Sequence, residues 1–395
     1  MLAFSGIRVL DLTHVYAGPF ATQQLAIMGA EVIKIEPPDN PDQMRFEGVD
    51  EELNQLGIGT TYLFNNQGKK AMTLDLGSEA GKEIMLRLIA GADVLVENYT
   101  HGLLRHGLGP EVALQANPRL IYCDMTGYGH EGQFGGRPAY DPVVQASSGM
   151  MSLNGRADQE FIRVGPPLID YGTGAQTAFA IAAALYQRTH SGKGQIIEVN
   201  MQDAALVMMS PLVSNALHAG VTEVRSGNGV DSRPGYAVYR CRDDDLMIGA
   251  FTLKHHQKLF KLLNLQNKIN IPSRISRQWI REHGAEIRQQ IASCLGAQDA
   301  DQWEIDLNQA DIPAARVRDL HRMLVEEQSN RASTSRFSRI SGNPIETPIA
   351  AFRYAEQGPN FDPHCARHGE HTTEILEALG YDASEISRLR EQGAI

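Results

Sequence analysis

The first two hundred residues alternate short apolar, β-branched runs with stretches of helical spacing. Gly6 to Leu12 (GIRVLDL), Glu31 to Ile35 (EVIKI), Asp93 to Glu97 (DVLVE) and Arg119 to Met125 (RLIYCDM) predict strands. A Gly-Pro turn at Gly18-Pro19 opens a helix through Phe20 to Met28, which Gly29 ends, and Gly81 to Ile89 has the spacing of another. Apolar runs with helices between them predict an α/β fold: an open parallel sheet of the nucleotide-binding type, covered on both faces.

From Asp170 the pattern shifts to an Ala-rich helix, Ala175 to Gln187. A strand, Gln195 to Asn200, and an apolar helix, Met201 to Leu217, follow. Residues 219–235 are rich in Gly, Ser and Arg and break the pattern. Tyr236 to Phe251 predicts a hairpin turning at Asp243 to Asp245, and helical spacing continues to about Leu307, which together predict a smaller α+β module. Glu374 to Gln392 predicts a terminal helix pair. The expected division is a large α/β domain over 1–204, a linker over 205–230, a small domain over 231–320, a second linker over 321–355, and a segment over 356–395 that returns to the large domain.

Composition narrows the class. The 395 residues carry a net charge of −11 and no Lys/Arg run, which argues against nucleic acid as a partner. So acidic a chain holds an anion through a few placed cations and backbone amides. The apolar stretch Ala178 to Leu185 is too short to span a bilayer, and Met1 to Asp11 lacks the basic and apolar regions of a secretory signal. Cys123, Cys241, Cys294 and Cys365 are scattered, which argues against a disulfide framework and fits a reducing cytoplasm, the expected location.

Two motifs favour plain readings. Gly127-Tyr-Gly129-His-Glu-Gly132 matches G-x-G-x-x-G after a strand, but Gly135, Gly136 and Pro138 break the helix that a dinucleotide site needs. His364-Cys365-x-x-His368-x-x-His371 has metal-like spacing, yet no second cluster completes a structural site, so no metal is expected. Asp170, in Val164-Gly-Pro-Pro-Leu-Ile-Asp170-Tyr-Gly-Thr173-Gly, has two readings. Just before a helix it is an N-cap. Equally, a carboxylate at a helix start stays ionised and can attack an acyl carbon covalently. Composition does not choose between them.

The ordered motifs add a family resemblance. Gly6 to Pro19 (GIRVLDLTHVYAGP), Leu25 to Pro38 (LAIMGAEVIKIEPP) with Asp42 and Arg45, Asn65 to Leu76 (NNQGKKAMTLDL) and Ala92 to Gly102 (ADVLVENYTHG) come first. Gly127-Tyr-Gly, Tyr140 to Gly149 (YDPVVQASSG), Asp170, Gly192 to Ala204 (GKGQIIEVNMQDA), Ile312-Pro-Ala and Gly369-Glu-His-Thr follow. In these the chain resembles, nearly end to end, the class III CoA-transferases, which include formyl-CoA and carnitine CoA-transferases and the 2-methylacyl-CoA racemases.

The resemblance implies coenzyme A thioesters and small carboxylic acids as substrates, no permanently bound cofactor, and a homodimer of interlocked rings. It places CoA against Val15, Tyr16, Ala17, Arg45, Leu74, Asn98, Tyr99 and Arg105, with the two arginines suited to phosphate. His14, Tyr140 and Asp141 are expected at the acyl site, and Asp170 matches the catalytic aspartate. Succinyl-CoA with small dicarboxylates is common in the family, but no residue specifies it. Gly227-Asn-Gly229-Val-Asp-Ser-Arg233 stands where the formyl-CoA:oxalate branch has four glycines, which argues against oxalate as acceptor.

Three functions are weighed. CoA transfer is favoured. Racemisation needs two bases on opposite faces of the α-carbon, and Tyr140 stands where racemases of the family place a histidine; a phenol is mostly protonated at neutral pH. The spacing puts neither His14 nor His130 opposite Asp170. A catalytically silent CoA-binding protein ranks last, because Asp170 and its Gly/Pro frame are intact.

Overall fold

The computed structural model describes residues 1–99, 102–326 and 344–395, and the backbone of 333–337. Two compact units emerge. The larger comprises Met1–Met150, Arg163–Val221 and Arg331–Ile395; the smaller comprises Met151–Ile162 and Thr222–Asn330.

The larger unit is built on six parallel strands: β1 (Arg8–Leu12), β2 (Glu31–Glu36), β3 (Lys70–Thr73), β4 (Val94–Glu97), β5 (Ile121–Thr126) and β6 (Gln195–Asn200). Their order, β3-β2-β1-β4-β5-β6, is that of the doubly wound dinucleotide fold. Both faces are covered, so apolar side chains of one strand feed two cores. Leu10, Leu12, Ile33 and Leu95 pack with Ile84 and Leu88 of the helix Glu79–Ala90 and with Leu376 and Leu389 of the C-terminal helices. Val9, Val32, Val96 and Ile121 pack with Leu25 and with Ile181 and Leu185. Such two-faced burial is why these strands show unbroken apolar runs.

The strand order reverses between β1 and β4, the point at which such sheets bind ligands beyond the strands' carboxyl ends. There the loops Thr13–Tyr16 and Asn98–Tyr99 meet. The Asn98 side chain accepts from the His14 N–H at 2.9 Å and donates to the His14 carbonyl at 3.0 Å, tying the two loops together.

Several elements differ from expectation. The Ala-rich helix runs from Leu168 to Ser191, so Asp170 lies inside its first turn and not before it. The apolar helix expected over 201–217 is two helices, Met201–Met208 and Ser210–Ala219, because Pro211 has no N–H to continue the first. The stretch 321–355 carries the helix Leu320–Glu326 and an antiparallel pair, β10 (Ser333–Phe337) and β11 (Ile345–Ala350); the rest of that stretch over 327–332 and 338–343 lies outside the described residues. In the smaller unit the expected hairpin, β7 (Tyr236–Arg240) and β8 (Asp245–Gly249), gains a third antiparallel strand, β9 (Ala314–Arg316).

Arg45 is corrected outright. Its side chain is fully buried, and all five donors are taken: two by the Glu36 carboxylate, two by the carbonyls of Gly57 and Ala366, and one by the Tyr62 hydroxyl. The guanidinium also lies 4.0 Å from the Tyr62 ring centroid. No donor is left for a phosphate, so Arg45 is an interior ion pair. Arg45→Ala strands the Glu36 charge, and urea unfolding is expected to show a loss of about 3–5 kcal/mol. A loss under about 1 kcal/mol contradicts the paired interior.

Candidate active site

The turn after β1 is held from beneath by buried charges. Asp11 accepts from the Thr13 N–H and hydroxyl and pairs with Lys69 at 2.8 Å. Lys34 donates to the Thr13 carbonyl at 2.6 Å and pairs with Asp42 at 3.4 Å. Asp42 accepts from the Val15 N–H, at 3.2 and 3.3 Å to its two oxygens. Burial alone would raise the Asp11 carboxyl; Lys69 and Lys34 outweigh it and hold Asp11 below the usual carboxylate range. Burial dominates at Lys69 and brings it down to about 8. Val15, a β-branched residue, is left at φ 69°, in the left-handed region that such side chains avoid. Strain of this kind persists only where surrounding bonds over-determine it, and the Asp42 bond supplies that here.

Asp170 approaches this turn because its helix packs closely on the helix Ala17–Ala26. A Cβ at Gly174 would stand 2.6 Å from the Ala17 carbonyl oxygen, so only glycine permits the approach. The Asp170 side chain caps nothing. The capping carboxylate belongs to Asp141, which opens the helix Asp141–Ser147 and accepts from the Ile169 N–H at 2.7 Å and the Asp170 N–H at 3.1 Å. Gln145 donates to its other oxygen and fixes its rotamer.

The sequence suggests a carboxylate kept ionised by the helix start. The structure gives the opposite balance: burial first, then the Asp141 charge, push Asp170 up to about 7.

A cleft of about 200 Å³ brings together Asp170, His14, Val15, Tyr16, Ala17, Asn98, Tyr99 and Tyr140. His14 stacks on Tyr99 with centroids 4.5 Å apart. Asp141 does not line this cleft; it sits behind Asp170, with its carboxylate turned to the backbone amides. Leu74, Tyr99 and Arg105 line a neighbouring cavity of about 270 Å³, so Tyr99 borders both. Arg105 is exposed and bonds His106 through Nε alone among the described residues.

His130 and Arg137 also line the Asp170 cleft. His130 bonds Asp124, which raises its pKa, and the Arg137 guanidinium lies 4.8 Å from the Phe134 ring centroid. Both sit on the glycine loop 127–137, which leads into no helix before Asp141. The signal was there, a His and an Arg in a loop directly after a strand, but only the strand order turns that loop towards Asp170. The C-terminal histidines go to separate partners: His364 to Glu370, His368 to the Pro37 carbonyl and His371 to the Ala71 N–H. Among the described residues, no cluster of three metal-ligating side chains is found, and no helix is long and apolar enough to cross a membrane.

The sequence and the fold have relatives. The pattern that defines CoA-transferase family III matches residues 4–372, and the chain belongs to that family as an enzyme of the CoA-transferase type. It is 32% identical to the succinyl-CoA:glutarate CoA-transferase of Mus musculus, over 100% of this chain and 91% of that protein. It is 30% identical to the succinyl-CoA:mesaconate CoA-transferase of Haloarcula marismortui, over 97% and 98%. A crystal structure of a CAIB/BAIF family protein from Brucella suis superposes with a TM-score of 0.81 at 27% identity, covering 96% of this chain and 99% of that one.

The raised Asp170 carboxyl has a consequence for stability. The unfolded carboxyl ionises near 3.8, its ordinary value, the folded one near 7. Wild-type stability therefore falls as pH rises between these values, and Asp170→Asn escapes that loss. The variant is expected to gain up to about 4 kcal/mol over wild type at pH 8 and nothing at pH 3, read from denaturant unfolding. An equal difference at both pH values contradicts the buried, proton-retaining carboxyl.

Proposed function

We propose that the enzyme moves coenzyme A from succinyl-CoA to a small dicarboxylic acid, with Asp170 as a covalent nucleophile. The observation that carries this reading is the position of Asp170: a buried carboxylate with no cation or cap to satisfy among the described residues, open to a cleft that His14, Val15, Tyr16, Ala17, Asn98, Tyr99 and Tyr140 also line. The donor and acceptor class is supported by the substrates named for the mouse and Haloarcula relatives.

An Asp170 oxygen attacks the thioester carbonyl carbon. Collapse breaks the C–S bond, releasing CoA thiolate and leaving an acyl-aspartyl anhydride. The thiolate then attacks the Asp170 Cγ, the donor acid leaves, and an aspartyl-CoA thioester remains. The acceptor carboxylate attacks Cγ in turn, breaking the C–S bond to release CoA thiolate and form a second anhydride; the thiolate then attacks the acceptor's acyl carbon, and the Asp170 carboxylate leaves. No net proton is required. A poorly solvated carboxylate is the stronger nucleophile, which is what burial beside Asp141 provides.

Each step develops negative charge. His130, whose pKa is raised by its bond to Asp124, and Arg137 line the cleft, and no side chain caps the helix that begins at Ala17, so its first N–H groups serve as oxyanion donors. Val15, Tyr16, Ala17 and Asn98 hold the pantetheine end, while Leu74, Tyr99 and Arg105 hold the nucleotide end, with Arg105 on phosphate. Coenzyme A is a substrate here, and no resident cofactor is invoked. The proposed assembly is a homodimer of interlocked rings. It is supported by Phe179 and Tyr186, about 70% exposed, and by the helix Ser210–Ala219, none of whose residues is buried.

His130 in the same cleft also supports a second reading, α-proton exchange, and one experiment separates the two. Asp170→Ala is expected to fold and to lose transfer by on the order of 10³-fold or more. Wild type incubated with succinyl-CoA in deuterated water is expected to show a CoA adduct on Asp170 by mass spectrometry. Retained transfer in folded Asp170→Ala contradicts the nucleophile. Deuterium at the α-carbon without exchange of CoA onto added acids favours the second reading.

A further inference from the structure

The smaller unit has a cavity that the transfer chemistry does not use. It measures about 170 Å³, and Arg233, Tyr236, Phe251, His256, Arg277 and Arg281 line it. The three arginines are exposed, and among the described residues none has a carboxylate within ion-pair distance. Arg277 and Arg281, four apart on the helix Arg277–Glu282, share one face. Arg233 comes from the turn before β7, its guanidinium 6.0 Å from the Phe251 centroid. Three like charges around one small cavity repel each other unless an anion joins them.

The floor makes a different demand. His256 is 5% exposed. Its Nδ1 lies 2.9 Å from the Thr252 carbonyl oxygen, which can only accept, so Nδ1 holds the proton. Burial lowers the ring's pKa, which favours the neutral form. Its Nε2 is then a bare acceptor, and that atom is buried without a partner among the described residues. Gly235 preserves the space in front of it, since a Cβ there would stand 2.9 Å from Nε2. Tyr236 and Phe251, edge to face at 5.8 Å and both about half exposed, line the same cavity with their rings.

We propose that this cavity binds a small organic anion that carries a hydrogen-bond donor, such as a hydroxycarboxylate. The donor meets His256 Nε2, the stem lies on Phe251, and the anionic group meets the arginines. At this volume the site encloses a short acid or one planar heterocycle such as a purine base, with the charged group at the mouth, not a whole acyl-CoA. A phosphorylated adenosine has the same chemistry, an amine for His256 and a phosphate for the arginines, so both sources enter the test.

Calorimetric titration of the full-length enzyme compares malate with succinate, which differ by one hydroxyl, and includes adenosine 5′-monophosphate. Malate is expected to bind about tenfold tighter than succinate, because a site built for a hydroxyl rejects the congener without it. Arg277→Gln with Arg281→Gln, on an exposed helix face, is expected to weaken malate at least about tenfold. His256→Phe is expected to reduce malate to the affinity of succinate. Adenosine monophosphate that binds tighter than malate and is lost in the arginine variant supports the site and makes a nucleotide its ligand. Equal binding of malate and succinate with no such nucleotide binding overturns the proposal, as does malate binding that the arginine variant leaves unchanged.

Discussion

One carboxylate, that of Asp141, holds Asp170 in position and adds its charge to burial in raising the Asp170 pKa. It accepts the Ile169 and Asp170 amides from outside the helix Leu168–Ser191, where Pro167 offers no side chain to do so. A charged acceptor at a helix start is favourable in itself. Here its charge also falls beside a second buried carboxyl, and that repulsion adds to burial in keeping Asp170 protonated up to near neutrality. The capping contact and the repulsion come from the same ionised group, so in the wild-type chain they occur together. Gly174 then fixes how near this helix start comes to Ala17, and the strand reversal between β1 and β4 supplies the crevice into which it points.

Opposite Asp170, a seam of interior charges does comparable work for the turn Thr13–Ala17. Lys69, Asp11, Lys34, Asp42, Glu36 and Arg45 are all buried, and each has a partner of opposite sign or a hydrogen bond to the next member. Such a seam adds little net stability compared with apolar packing, but removing any member leaves an unpaired charge inside. Its structural effect is local. The carbonyl of Thr13 and the N–H of Val15 are both bound from below, which forces Val15 into its strained conformation and presents Tyr16 and the free helix start to the cleft.

The fold was largely legible because parallel strands buried on both faces need continuous apolar sequence, as in GIRVLDL and DVLVE. The hairpin of the smaller unit was legible from its alternation and its acidic turn, whereas β9, three residues long, left no pattern to find. Asp170 was legible as a candidate from its Gly/Pro frame and from the family resemblance. Its environment was not, because the group that sets it, Asp141, is 29 residues away and its role depends on two helix starts meeting. Arg45 shows the reverse error: an arginine in a phosphate-binding fold looks like a phosphate ligand until burial shows its donors spent on Glu36, Tyr62 and two carbonyls. Arg137 was passed over, and His130 weighed only as a second base, for a similar reason, since a glycine loop fixes no side-chain direction until the sheet order is known.

The coupling between Asp141 and Asp170 is tested most directly by the pH dependence of kcat/KM for an acyl-CoA donor. The nucleophile acts as the anion, so wild-type activity should rise through an apparent pKa of about 7. Asp141→Asn keeps an oxygen for the Ile169 and Asp170 amides but removes the charge, so the rising limb should move to lower pH. A limb that stays in place, or moves to higher pH, contradicts the account.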